Sequence, residues 1–192
     1  MVTLFLHGNA GNVTHRGAHM RAIAQAGSSV LVIDYRGYGR SQGSPSEKGL
    51  YADADAGYEY VARLGKRVVI HGESLGSAVA VDLASRKPCA GLVLEAPFSS
   101  ARAVAARVLP LVGPLLIWSY DAKSKIRSVK APLLVIHGDR DEVIDYSLGR
   151  DLFEAANQPK EHRRVEGGHH NDILESAGPA YVEWLSAFYA RQ

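Results

Sequence analysis

Short β-branched runs alternate with longer stretches of helical spacing along the whole chain, and no other feature restricts the fold as much. The strand candidates are VTLFL (2–6), SVLVIDY (29–35), RVVIH (67–71), GLVLEA (91–96), PLLVIH (132–137) and EHRRVE (161–166). Most are continuously apolar, which suits a parallel sheet covered on both faces. Helical patterns fall near 15–26, 47–64, 75–87, 146–156 and 173–190, with Ser46 and Asp172 as capping candidates. The expected fold is a doubly wound α/β domain whose mostly parallel sheet has about six strands. A chain of 192 residues is enough for one such domain, spanning 1–192.

Segment 97–131 is the irregular part, interrupted by Pro97, Pro110 and Pro114. Its place between two strands suits a small cap or pocket wall. The apolar patch at 108–118 reads either as core packing or as that wall, and KSKIRSVK (123–130) as a solvated face.

Composition excludes several classes. A net charge of +2 is too mild to argue for nucleic acid. The single Cys89 excludes an intrachain disulfide framework and reads as a small residue at a strand entrance. MVTLFLHG carries no basic leader, and the longest apolar patch is shorter than the ~20 residues of a membrane span. A cytoplasmic protein without a membrane span is the expectation.

Three strand candidates end in His-Gly: His7-Gly8, His71-Gly72 and His137-Gly138. Each pair falls at the carboxyl end of its strand, where open α/β sheets place their sites. The histidines themselves read as structural, bonding backbone in the turns.

GESLG (72–76) matches G-x-S-x-G and stands between a strand and a helix, the setting of a nucleophile elbow. Gly72 and Gly76 leave room where the two elements cross, so Ser74 projects from a strained turn above a helix amino terminus. A serine hydroxyl needs a base, and the base an orienting carboxylate. Downstream, IHGDRDEVI offers Asp139 and Asp141, with Asp145 just beyond, and EGGHHNDIL offers His169 and His170. No further ligand at helical spacing supports a metal site on the histidine pair. One oxyanion donor is expected from the amide of Leu75, the other from HGNAGN after the first strand, at Asn9.

LFLHGNAGN, DYRGYGRSQGSPSEKGLYADADA, HGESLGS, LEAPFSS, APLLVIHGDRDEVID and GGHHNDI, in this order, resemble the α/β-hydrolase superfamily. The resemblance is to its small, lid-poor branch of serine hydrolases, which includes the palmitoyl-protein thioesterases of the α/β-hydrolase-domain group and bacterial relatives. It implies Asp141 (fourth in G-x-x-D), His170 (directly before Asn-Asp) and Asn9 (after His-Gly) as partners of Ser74. The implied activity is hydrolysis of a small acyl ester or thioester through an acyl-enzyme, with no cofactor and no metal. The acyl chain, short or medium, would lie along 108–118. Superfamily members carry two more strands before the His-Gly loop, whereas Met1 stands almost on that strand. SVLVIDY is therefore expected at a sheet edge. The expectation is that two copies pair through 29–35 as a homodimer, that another segment covers the strand, or that the chain is a fragment of a longer product. The rival readings are a peptidase of the prolyl-oligopeptidase type and a non-catalytic binding module.

Overall fold

The computed structural model describes residues 1–108 and 119–192. Six strands form one sheet: β1 (Val2–Leu6), β2 (Ser29–Val32), β3 (Val68–Glu73), β4 (Gly91–Glu95), β5 (Leu133–Gly138) and β6 (Lys160–Val165). Their order is β2-β1-β3-β4-β5-β6, and each pairing is parallel. The helices are α1 (Gly17–Gln25), α2 (Glu47–Ala62), α3 (Leu75–Arg86), α4 (Ala101–Val108), α5 (Ala122–Ile126), α6 (Tyr146–Ala155), α7 (Ile173–Ala177) and α8 (Pro179–Ala190).

The continuous apolar runs are explained by two cores. Leu4, Ile70, Leu92 and Val135 pack toward α2, α3, α5 and α6; Phe5, Val69, Val93 and Leu134 pack toward α1, α7 and α8. Fully burying one such side chain contributes about 1.5–3 kcal/mol, and every strand of the sheet centre contributes to both sides. Winding reverses between β1 and β3, because the chain leaves β1 toward β2 and leaves β3 toward β4. Loops diverging at such a reversal open a crevice at the carboxyl edge. The loop after β1 and the turn after β3 border it.

Helix α3 crosses this edge at main-chain distance. A methyl group at Gly76 would run into the Leu6 carbonyl oxygen, and one at Gly72 into the Gly76 carbonyl. Glycine is required at both crossings.

Several boundaries differ from expectation. β2 lies at the sheet edge but ends at Val32 rather than 35, since Asp34 and Tyr35 turn inward to hold the β1 loop. The helical stretch 173–190 is split at Gly178, whose φ of 55° breaks the helix before Pro179 opens α8. Ser46 caps α2 by accepting from the Gly49 amide, whereas Asp172 accepts from the His169 amide instead of capping α7. Lys125 is not merely solvated, because it bonds Asp82 at 2.7 Å and ties α5 to α3. The irregular segment holds the short helices α4 and α5, and most of the patch 108–118 lies outside the described residues.

Candidate active site

β3 ends at Glu73 and α3 begins at Leu75, so Ser74 makes the turn alone. Its φ of 51° is left-handed, a conformation that costs a non-glycine residue of order 1–3 kcal/mol. Neighbouring main chain holds it there. Its amide donates to the Glu95 carbonyl at 2.9 Å, and its carbonyl accepts from the Ser77 amide at 2.8 Å.

Two loops bring the downstream partners to this turn. Asp141 follows β5, is buried, and accepts from the amides of Val143 at 2.9 Å and Ile144 at 2.7 Å. Its other oxygen lies 2.7 Å from His170 Nδ1, and His170 Nε2 lies 3.0 Å from Ser74 Oγ. The alternatives point elsewhere. Asp139 binds Arg164 and the Gly167 amide, Asp145 caps α6 through the Ser147 amide, and His169 faces Glu142 at 3.0 Å. The two loops are stitched together by main chain, with the Arg140 amide donating to Gly168 at 3.0 Å and the Asp139 amide to Val165 at 3.1 Å. A methyl at Gly138 would run into the Gly168 carbonyl.

The electrostatics follow from this geometry. Burial alone would raise the Asp141 carboxyl, but hydrogen bonds from His137, His170 and the Ile144 amide hold it well below the carboxylate range. Burial would likewise lower His170, yet the hydrogen bond and charge of Asp141 outweigh it and raise the imidazole above 6.5. The Cys89 thiol is pushed up to about 11 by burial, so it is no thiolate nucleophile at neutral pH.

Asn9, Ser74 and Leu75 line one cavity of about 340 Å³, walled by Phe98, Val104, Tyr120 and Ile144. Tyr38 donates to Asn9 Oδ1 at 2.6 Å and fixes the β1 loop at its mouth. Of the described part of 97–131, Phe98, Val104 on α4 and Tyr120 contribute to this lining.

Comparison with known proteins places the chain in a family. Residues 1–124 match the family described as "Serine aminopeptidase, S33". The chain belongs to this family of α/β hydrolases. An uncharacterized protein of Mycobacterium tuberculosis is 43% identical over 175 residues, covering 88% of this chain and 62% of that protein. Alpha/beta hydrolase domain-containing protein 17B of Xenopus laevis is 39% identical over 197 residues, covering 98% of this chain and 66% of that protein. The chain thus spans less than two thirds of the length of these relatives. Among solved structures, an esterase of Pyrococcus furiosus superposes with a TM-score of 0.83 at 21% identity, covering 99% of this chain and 81% of that one. That likeness establishes the α/β-hydrolase fold.

Within this α/β-hydrolase frame, sequence reasoning passed over a cluster beneath the elbow. Glu95 ends β4 in register with Glu73 and is buried. Its carboxylate lies 3.1 Å from His19 Nε2 and accepts from the Tyr181 hydroxyl at 2.6 Å. Glu73 is clamped by Arg16 Nε at 2.6 Å. An acidic residue closing an apolar run, one strand away from the elbow, was the available signal. The His-Gly histidines divide accordingly. His7 Nδ1 contacts the Gly8 carbonyl at 2.7 Å and His137 Nε2 the Ile144 carbonyl at 3.0 Å, as expected of turn residues. His71 departs from that expectation: neither ring nitrogen has a hydrogen-bond partner, and Nε2 faces Glu95 at 3.9 Å. Burial pushes it down to about 3, so it is neutral.

Proposed function

We propose that the chain is a serine hydrolase cleaving carboxylic esters or thioesters through an acyl-enzyme. The observation that carries this reading is the Ser74–His170–Asp141 chain, with links of 3.0 and 2.7 Å. With its proton on Nδ1 donated to Asp141, His170 presents a bare Nε2 to the serine hydroxyl. Ser74 Oγ bonds the acyl carbon as His170 takes its proton, and the carbonyl electron pair moves onto oxygen. The amides of Asn9 and Leu75 receive that oxyanion; losing one such donor typically costs about 100- to 1000-fold in rate. Collapse breaks the bond to the alcohol or thiol, which leaves with the proton from His170. Water, deprotonated by the same imidazole, then bonds the acyl carbon. The acid leaves as the Oγ–acyl bond breaks and His170 returns the proton to Ser74 Oγ.

The cavity beside Ser74, about 340 Å³ and mostly apolar, suits a short or medium acyl group. A peptidase reading has one support, the description of the matched family. A fluorophosphonate probe applied to the parent and Ser74→Ala, with p-nitrophenyl esters of graded length and peptide amides, tests all readings. The parent alone should be labelled and should turn over esters, with an acid limb above pH 6.5 because His170 must be neutral to act. Faster amide turnover would favour the peptidase. Folded parent that resists labelling would leave a binding module.

A further inference from the structure

Two carboxylates stand side by side under the place where the oxyanion forms. Glu73 and Glu95 are register partners on β3 and β4, at the last position of each strand. Left bare, like charges there repel each other and oppose negative charge developing above them. Each has a basic partner from the same stretch of chain, the two partners three residues apart. Arg16 meets Glu73 at 2.6 Å and His19 meets Glu95 at 3.1 Å.

We propose that the buried Glu95–His19 pair is a positioning element of the active site, carrying the Ser74 main chain and, with Glu73–Arg16, setting the charge that His170 experiences. The inference rests on the serine-hydrolase reading above.

The Glu95 main chain holds the elbow directly, through its carbonyl on the Ser74 amide. Glu95 is 3% exposed, in a core otherwise built from Phe5, Val93, Ile136 and Tyr181. A buried ion pair there gives no stability that apolar residues of the same volume would not match, so stability does not account for it. The polar groups around Glu95 include several that act on its charge. From β3 come His71 and Glu73, from the α1 side Arg16 and His19, and from α8 the Tyr181 hydroxyl. His170, on the opposite side of Ser74, is faced by Asp141, and Glu142 lies against its amide and His169.

Burial alone would raise Glu95; the charge and hydrogen bond of His19 outweigh it, with His71 and Tyr181 adding, and hold it at about 2. Reciprocally, Glu95 outweighs the burial of His19 and raises that imidazole. Both glutamates also favour the charged form of His170. A change of charge under the elbow therefore reaches the base.

The test is the pH profile of kcat/KM for p-nitrophenyl esters in the parent, His19→Gln and Glu95→Gln. His19→Gln leaves the Glu95 charge unbalanced, so the acid limb should move up by about 0.5 pH unit and kcat should fall severalfold at unchanged KM. Glu95→Gln removes that charge and should move the limb down. The double variant should return toward the parent. Limbs within 0.1 unit (about the precision of the fit) of the parent in folded variants, or shifts of the same sign, would overturn the inference. Should Glu95→Gln fail to fold, His19→Gln decides alone by the same criterion. A parent that shows no Ser74-dependent labelling would instead remove the serine-hydrolase reading itself.

Discussion

On the α3 face, the strand side chains of β1, β3 and β4 are apolar up to the rim, and the elbow is braced by main chain packed on main chain at Gly72 and Gly76. On the α1 and α8 face, the same strands carry Thr3, His71 and Glu95 into the interior, and the brace is a network of charges and hydroxyls. The first brace is steric and indifferent to pH. The second depends on which of its members hold protons. One turn is thus fixed in space from one side and tuned in charge from the other, which separates the residues that shape the site from those that set its chemistry.

Glu95→Ala should break the charged brace most severely. Removing one partner leaves the half-buried His19 without its carboxylate and should cost about 4 kcal/mol in urea unfolding. Replacing both partners with leucine should restore most of that loss and, leaving no unbalanced charge under the elbow, bring the acid limb back toward the parent. Gly76→Ala attacks the steric brace, and its methyl meets a carbonyl oxygen that cannot move without its strand. A loss of about 3 kcal/mol, with no change in the pH profile of the residual activity, is expected. The smallest effect is on acid stability. Glu95 is held below its ordinary 4.5, at about 2, so its contribution is present above pH 4.5 and is lost as pH falls toward 2. Glu95→Gln should flatten that part of the melting-temperature profile; a parallel decline in both proteins would assign the acid loss to Asp141 and its neighbours.

The strands were legible because both faces of the sheet are covered, so each left a continuous apolar run even where alternate residues belong to different cores. What escaped notice was short or irregular. α5 has five residues, too few for a periodic signal, and α4 lies in the proline-interrupted segment. The break at Gly178 was marked only by the Gly-Pro pair inside a helical pattern. At the site, residue types and their order led to the elbow and to two short loops, but not to the choice within them. Asp139 and Asp141 differ by two positions, and what separates them is Arg164 on β6 drawing one outward while the Val143 and Ile144 amides hold the other in. Arg164 arrives from another strand, and the backbone amides that hold Asp141 carry no mark in the residue types. Glu95 was hidden for the opposite reason: it looked like the end of a strand, which it also is.

The seam between Gly138 and Gly168 has a consequence for how this rim can vary. Because the loops after β5 and β6 share main-chain bonds, a displacement of one is expected to carry the other, and with it carboxylate and imidazole together. The serine belongs to a different body, seated on β3 and α3. Any graft, insertion or thermal excursion at this edge must therefore register in one coordinate, the gap between Nε2 and Oγ.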